Sequence, residues 1–273
     1  MGREPRTTLI DVADPVVLAA RRPVLIAHRG GVLGPTAPEN SLAAIRRAAD
    51  HGYDLVELDV TRPRDDEPVL FHERDGTLWR NCGVAGRLMD HTARELATLR
   101  YRATAEPIAT LADALALCRA RHLGVMLDIK VRPGTRVTPG FLRRIGTLVV
   151  AHGLTAATLI ATDLPLAQAL LADCGRFPVP ADVARRVARG ERIPLAGRFW
   201  FGLPEELPDD AVPTYQGLGA LVLPAINTFR YPPHAHLALA RADVARLHAA
   251  GVDGFQFDAI YGPLFGLADA AER

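Results

Sequence analysis

Eight short apolar runs alternate along this chain with Ala-, Leu- and Arg-rich segments of helical period. The runs are VLIAH (24–28), LVELDV (55–60), PVLFH (68–72), GVMLDI (124–129), ATLIAT (157–162), RFWFGL (198–203), GALVLPAI (219–226) and DGFQFD (253–258). Most are continuously apolar rather than alternating, as parallel strands covered on both faces are. Between them, SLAAIRRAADHG has Asn40 in place to cap it and Gly52 to end it, and several later segments also stop at glycine. Strand–helix alternation of this kind predicts a parallel sheet closed as a (β/α)8 TIM barrel, with an open doubly wound sheet as the other solution. The 273 residues suit one barrel, which needs ~250 residues. With no repeat, low-complexity run or linker, residues 1–273 are expected to form a single domain. Two stretches break the rhythm: a loop-rich insertion after the third strand, about 73–108, and a Pro- and Arg-rich connection at 174–197.

A parallel barrel gathers its chemistry at the C-terminal ends of the strands. His28 and Arg29 end the first run, Glu57 and Asp59 lie late in the second, and His72 ends the third. Asp128 and Lys130 end the fourth, and Asp258 ends the eighth. Polar groups collected at one end of apolar strands are costly to bury without a purpose. Glu57 and Asp59 are two apart, as are Asp128 and Lys130, so each pair shares one face of its strand. Glu57, Asp59 and Asp128 therefore make a set of hard oxygen ligands suited to Mg2+ or Ca2+, and without a cation their charges repel. His28 and His72, with ordinary pKa values of ~6.5, suit proton transfer near neutral pH. Gly30 and Gly31 behind Arg29 allow close approach of an anionic oxygen to the backbone. The other seven histidines fall mostly on helices or loops, where surface or packing roles are expected.

The basic residues sharpen this reading. Lys and Arg total 32, yet Lys130 is the only lysine. Where either cation serves on a solvated face, a chain biased toward arginine replaces lysine freely, so the single survivor marks a place the planar guanidinium does not fit. Arg29, Lys130, a divalent cation and two imidazoles together describe attack on a phosphodiester, whose oxygens gather negative charge. The net charge of +1 gives no basic field for nucleic acid. No apolar run reaches the ~18 residues of a membrane span. Asp11 and Asp14 interrupt the apolar N-terminal stretch, which makes a poor signal peptide. Cys82, Cys118 and Cys174 are odd in number and lack CxxC spacing, which points to a reducing, cytoplasmic setting rather than a disulfide framework. Oligomeric state is left open.

AHRGG with APENSLAAIRRAADHGYDLVELDV, then PVLFHE, LDIK and GVDGFQFD, resemble the glycerophosphodiester phosphodiesterase family, in family order across nearly the whole chain. The resemblance implies a (β/α)8 barrel and metal-dependent hydrolysis of glycerophosphodiesters to glycerol-3-phosphate and an alcohol. It implies His28 and His72 as catalytic acid and base, in unassigned order, and Glu57, Asp59 and Asp128 as metal ligands. Arg29 and Lys130 match phosphate-contacting cations, and Glu39 of the PEN turn matches a supporting acid. The implied partner is a small-molecule phosphodiester. The implied route is attack by a neighbouring glycerol hydroxyl, giving a cyclic phosphate that water opens. The chain departs from the family at His72-Glu73 (usually His-Asp), at Trp79-Arg80-Asn81 (usually Arg-Thr-Thr), at Asp128 (usually Glu), at Phe257-Asp258 (usually Thr-Asp) and in LPAINTFRYPPHAH. Trp79, Phe229 and Tyr231 are candidates for an altered substrate wall. These departures keep two alternatives open: a sugar-phosphate diester or a cyclic end product at the same site, and a non-catalytic phosphate-ligand binding protein.

Overall fold

The structure, a computed structural model, describes residues 4–31, 36–131 and 136–267; the outermost residues of the expected 1–273 domain lie outside them. Among the described residues nine strands form: β1 (Val24–Ala27), β2 (Leu55–Thr61), β3 (Val69–Leu70), β4 (Gly124–Ile129), β5 (Thr158–Ala161), β6 (Phe177–Pro178), β7 (Arg198–Gly202), β8 (Leu221–Ile226) and β9 (Gly254–Phe257). Eight of them run parallel in the order β5-β4-β2-β1-β9-β8-β7-β6. The ring closes between β5 and β6 through a parallel bridge from Leu159 to Arg176. There the Ile160 amide donates to the Arg176 carbonyl at 2.8 Å, and the Arg176 amide donates to Thr158 at 3.1 Å. The expected (β/α)8 barrel is the observed fold.

Two strand assignments change. PVLFH does not enter the barrel wall: only Val69–Leu70 is strand, and it pairs antiparallel with β2 through Val60–Leu70 and Thr61–Val69. The reason is visible in the chain. Only the short stretch after Thr61 separates the two strands, whereas a parallel partner needs a crossover of roughly a dozen residues or more. The vacant place in the wall is taken by Phe177–Pro178, inside the segment read as an irregular connection. Pro178 and Pro180 break that strand to two residues, too short to register as an apolar run. The insertion thus follows the third strand in chain order but the second strand of the barrel.

The insertion is more ordered than its composition suggests. It carries helices Thr77–Cys82 and Ala93–Thr98 over its own apolar cluster of Val69, Phe71, Leu78, Leu88, Ala93, Leu96, Tyr101 and Ile108. Fully burying a Leu or Phe side chain stabilises by roughly 1.5–3 kcal/mol, so this small core holds the insertion as a built wall beside the barrel mouth. Glu73 belongs to the same construction. It is buried, and its carboxylate accepts the Leu88 amide at 2.8 Å. The acid after His72 is therefore a tether for the insertion.

The helix after β1 also differs in detail. Ser41, not Asn40, caps Leu42–Asp50 by accepting the Ala44 amide at 3.1 Å. Asn40 is in a left-handed conformation (φ 60°) and turns its amide to Asp59 instead. Among the described residues no helix is long and apolar enough to cross a membrane.

Candidate active site

The C-terminal strand ends bring the sequence-selected side chains into one mouth. Asp59 and Asp128 are register partners on the parallel strands β2 and β4, so their carboxylates lie side by side, with Glu57 one pleat deeper. Ligand oxygens of Glu57, Asp59 and Asp128 all lie within 4.8 Å of one another. Asn40 locks the middle acid: its Nδ2 donates to Asp59 Oδ2 at 2.7 Å, and its Oδ1 accepts the Asp59 amide at 2.9 Å. Lys130 Nζ lies 2.8 Å from Asp59 Oδ1 and also donates to Asp128. Its compact ammonium, with freely rotating donors, fits between two carboxylates where a planar fork has no room.

Arg29 sits at φ 53°, between β1 and the left-handed Gly30 and Gly31. A left-handed residue with a Cβ costs on the order of 1 kcal/mol, and such strain is usual where a site fixes a side chain. Here it aims the Arg29 amide at Glu57 Oε2 (2.8 Å) and the guanidinium at Glu39 (2.6 Å) and His72 Nε2 (3.2 Å). Glu39 is itself steadied through its carbonyl, which accepts the Tyr101 hydroxyl at 3.3 Å.

The two histidines are held differently. His28 Nδ1 is 2.5 Å from Asp258 Oδ1, which leaves Nε2 directed toward Glu57 at 3.9 Å. Asp258 is fixed in turn by the Thr228 amide and hydroxyl at 2.6 and 2.8 Å, and Asn227 Nδ2 lies 2.9 Å from His28 Nδ1. His72 has a guanidinium as its neighbour, a group with donors only, so its Nε2 accepts and the ring stays neutral in this arrangement.

The electrostatics follow these contacts. Burial, and next the Asp59 charge, push Glu57 up to about 8. Asp59 is held low against its own burial chiefly by the Lys130 charge and by hydrogen bonds from Lys130 and Asn40. Burial drives His72 down to about 4, and the Arg29 charge adds to it against the opposing field of Asp59. Burial also disfavours charge on His28, but the Asp258 hydrogen bond and the Glu57 field outweigh it and raise its pKa. Asp258 is drawn down to about 2: its burial is overcome by its bond to His28 and the donors of Thr228. Three carboxylates with ligand oxygens within 4.8 Å of one another, one of them disfavoured as an anion by burial and by its neighbour, make a donor set that fits a hard divalent cation.

All eight expected residues, His28, Arg29, Glu39, Glu57, Asp59, His72, Asp128 and Lys130, are joined by these contacts or line the same mouth. Three participants were not singled out from the sequence: Asn40 as the brace of Asp59, Asn227 beside His28, and Arg74, which lines the mouth. Asp258, the polar end of the last strand, meets His28 because barrel closure sets β9 beside β1. The aromatic candidates separate. Phe229 is exposed and lines the mouth. Trp79 lies outside it on the insertion. Tyr231 is buried, bonded to Asp243 at 2.9 Å and packed on Tyr261, so it is a core residue. His236 faces the Tyr261 hydroxyl at 3.2 Å, not the site.

Comparison with known proteins bears on the family and the fold. The model of the glycerophosphoryl diester phosphodiesterase family matches residues 28–138. Human glycerophosphodiester phosphodiesterase 1 is 42% identical over 113 residues, covering 38% of this chain and 33% of that protein. A glycerophosphodiester phosphodiesterase of Caldanaerobacter subterraneus subsp. tengcongensis is 27% identical over 145 residues, 51% of this chain and 57% of that one. The matched region thus spans about one third of the length of the first of these relatives and over half of the second. Among solved structures, a glycerophosphoryl diester phosphodiesterase of Parabacteroides distasonis superposes with a TM-score of 0.68 at 21% identity, covering 92% of this chain and 90% of that one. An Oleispira antarctica phosphodiesterase in complex with its product sn-glycerol-3-phosphate gives 0.65 at 22%, covering 88% and 95%. The resemblance carried by the motifs is therefore borne out: over residues 28–138 the chain matches the glycerophosphoryl diester phosphodiesterase family, and its described fold is the barrel of solved structures bearing that name.

Proposed function

We propose that this chain is a metal-dependent phosphodiesterase that hydrolyses glycerophosphodiesters to glycerol-3-phosphate and an alcohol. The observation that carries it is the pairing of two differently held imidazoles with one carboxylate trio: His28 against Glu57, and His72 joined to the trio through Arg29. Glu57, Asp59 and Asp128 are the ligands for a divalent cation of the Mg2+ or Ca2+ kind, which supplies positive charge to the phosphoryl oxygens when bound.

Arg29 and Lys130 flank the trio and bind the diester's non-bridging oxygens, stabilising charge that grows in the transition state. Asp258 keeps the His28 proton on Nδ1 and supports a second one on Nε2, so His28 is the acid that protonates the departing alcohol. His72, kept neutral beside Arg29, is the base that takes the proton from the attacking hydroxyl. Asn40 and Glu39 position Asp59 and Arg29 without touching substrate.

The reading is tested with a panel of glycerophosphodiesters, products identified by mass spectrometry and phosphorus NMR. Release of glycerol-3-phosphate is the expected result. No turnover on any diester, with Mg2+, Ca2+ or Mn2+ supplied, would remove the reading. A persistent cyclic ester would show that the second, water-dependent step is missing.

A further inference from the structure

On the His72 side of the mouth, the insertion borders an open cleft of about 480 Å3. Its wall includes Arg29 and His72, shared with the site, and Arg74, Arg80 and Arg102 from the insertion. Arg74 lines this cavity and the mouth alike, so the two spaces adjoin. Glu39 is the one carboxylate in the wall, and the Arg29 guanidinium already engages it. Among the described residues Arg74, Arg80 and Arg102 have no carboxylate partner: Arg80 donates to the Asp75 carbonyl at 3.1 Å, and Arg102 rests on Trp79, 5.0 Å from its ring centroid. Elsewhere on the surface, exposed arginines such as Arg144, Arg121 and Arg64 pair with Glu67, Asp50 and Glu95.

The arrangement is held in place. Gly83 takes the left-handed conformation (φ +78°) that ends helix Thr77–Cys82, and the Arg102 guanidinium lies across that turn. The Arg102 amide donates to the Asn81 carbonyl at 2.7 Å, and the preceding Tyr101 is sunk in the insertion's core. Arg74, Arg80 and Arg102 are exposed side chains long enough to turn their heads into the cleft, and the guanidinium fork of donors matches phosphate or carboxylate oxygens.

We propose that this cleft binds a second anionic group of the substrate, so that the preferred diesters carry a further phosphate or carboxylate on the glycerol whose hydroxyl His72 serves, not on the alcohol that departs toward His28. The proposal rests on the phosphodiesterase reading for the bond that is cut, but not for anion binding itself. Two linked anions that reach both sites bind more tightly than one, through the high effective concentration of the second.

Alkanediol bisphosphates of three to six carbons and propyl phosphate are titrated calorimetrically into the full chain with Mg2+ present. At least one bisphosphate is expected to bind about tenfold or more tighter than propyl phosphate. The R80Q/R102Q double variant loses that gain, and R119Q, which removes an exposed cation on helix Leu111–Ala120, keeps it. A wild-type protein that gains nothing from the second phosphate overturns the proposal, as does a double variant that keeps the whole gain. In parallel, kcat/KM for glycerophosphocholine carrying a phosphate on its free primary hydroxyl, over glycerophosphocholine, should favour the former by about tenfold, a ratio that collapses in the double variant. A bisphosphate gain without turnover of any diester would remove the phosphodiesterase reading and leave the anion cleft standing. Turnover without the gain would do the reverse.

Discussion

The barrel has two unlike halves. From β1 through β4 and the insertion come His28, Arg29, Glu39, Glu57, Asp59, His72, Asp128 and Lys130. From β5 through β8 the mouth receives mainly Ala161, Phe201, Ala225 and Phe229, with Asn227 as the polar exception. The family match, residues 28–138, covers the first half and stops there. Charges must be set to within a fraction of an ångström to act together, and that ties each to a particular residue and neighbour, as Asn40 is tied to Asp59. An apolar wall needs only volume and hydrophobicity, which many sequences supply. The second half re-enters the chemistry at one place, where closure of β1 on β9 sets Asp258 behind His28.

The largest effects should therefore fall in the first half. His28→Ala and His72→Ala are each expected to lower kcat by about 10²–10⁴-fold, the usual worth of a positioned acid or base. Thermal melting should hardly move. A variant that keeps wild-type kcat would place the proton transfer elsewhere.

Asp258→Asn tests the second half's one contribution. A protonating His28 works below its own pKa, so the rate falls as pH rises through that pKa. Asp258 raises the His28 pKa, and removing its charge should shift the alkaline limb of kcat/KM to lower pH, with a loss of about tenfold or more. An alkaline limb that stays in place would separate Asp258 from the proton on His28.

Phe201→Leu, in the apolar wall, should have the smallest effect, on the order of threefold in KM, because a similar volume is kept. A hundredfold loss of kcat there would break the division between a charged half and a space-filling half.

The same division explains what was legible in the sequence. Paired spacings in single strands, Glu57–Asp59 and Asp128–Lys130, transmit directly to the fold because a strand repeats every two residues. The lone lysine found its place between two acids. What stayed hidden depended on contacts across distant chain segments. Asn40 looked like a helix cap, since capping residues and carboxylate braces are the same residue types. Glu73 stood out only as a departure from the family's His-Asp, and its buried tie to Leu88 exists only once the insertion has folded on its own core. PVLFH passed for a wall strand by apolarity alone, and the short link behind it, which forces an antiparallel return, was the overlooked constraint. Phe177–Pro178 was invisible because two residues carry no period.

The most direct test follows glycerol-3-phosphate release from a turned-over diester by the purified protein. Release is measured after exhaustive treatment with EDTA and again after restoring Mg2+ or Ca2+. The prediction is loss of at least about a hundredfold on chelation and recovery on metal addition, with His72→Ala inactive throughout. Undiminished release in EDTA would contradict a cation held by Glu57, Asp59 and Asp128.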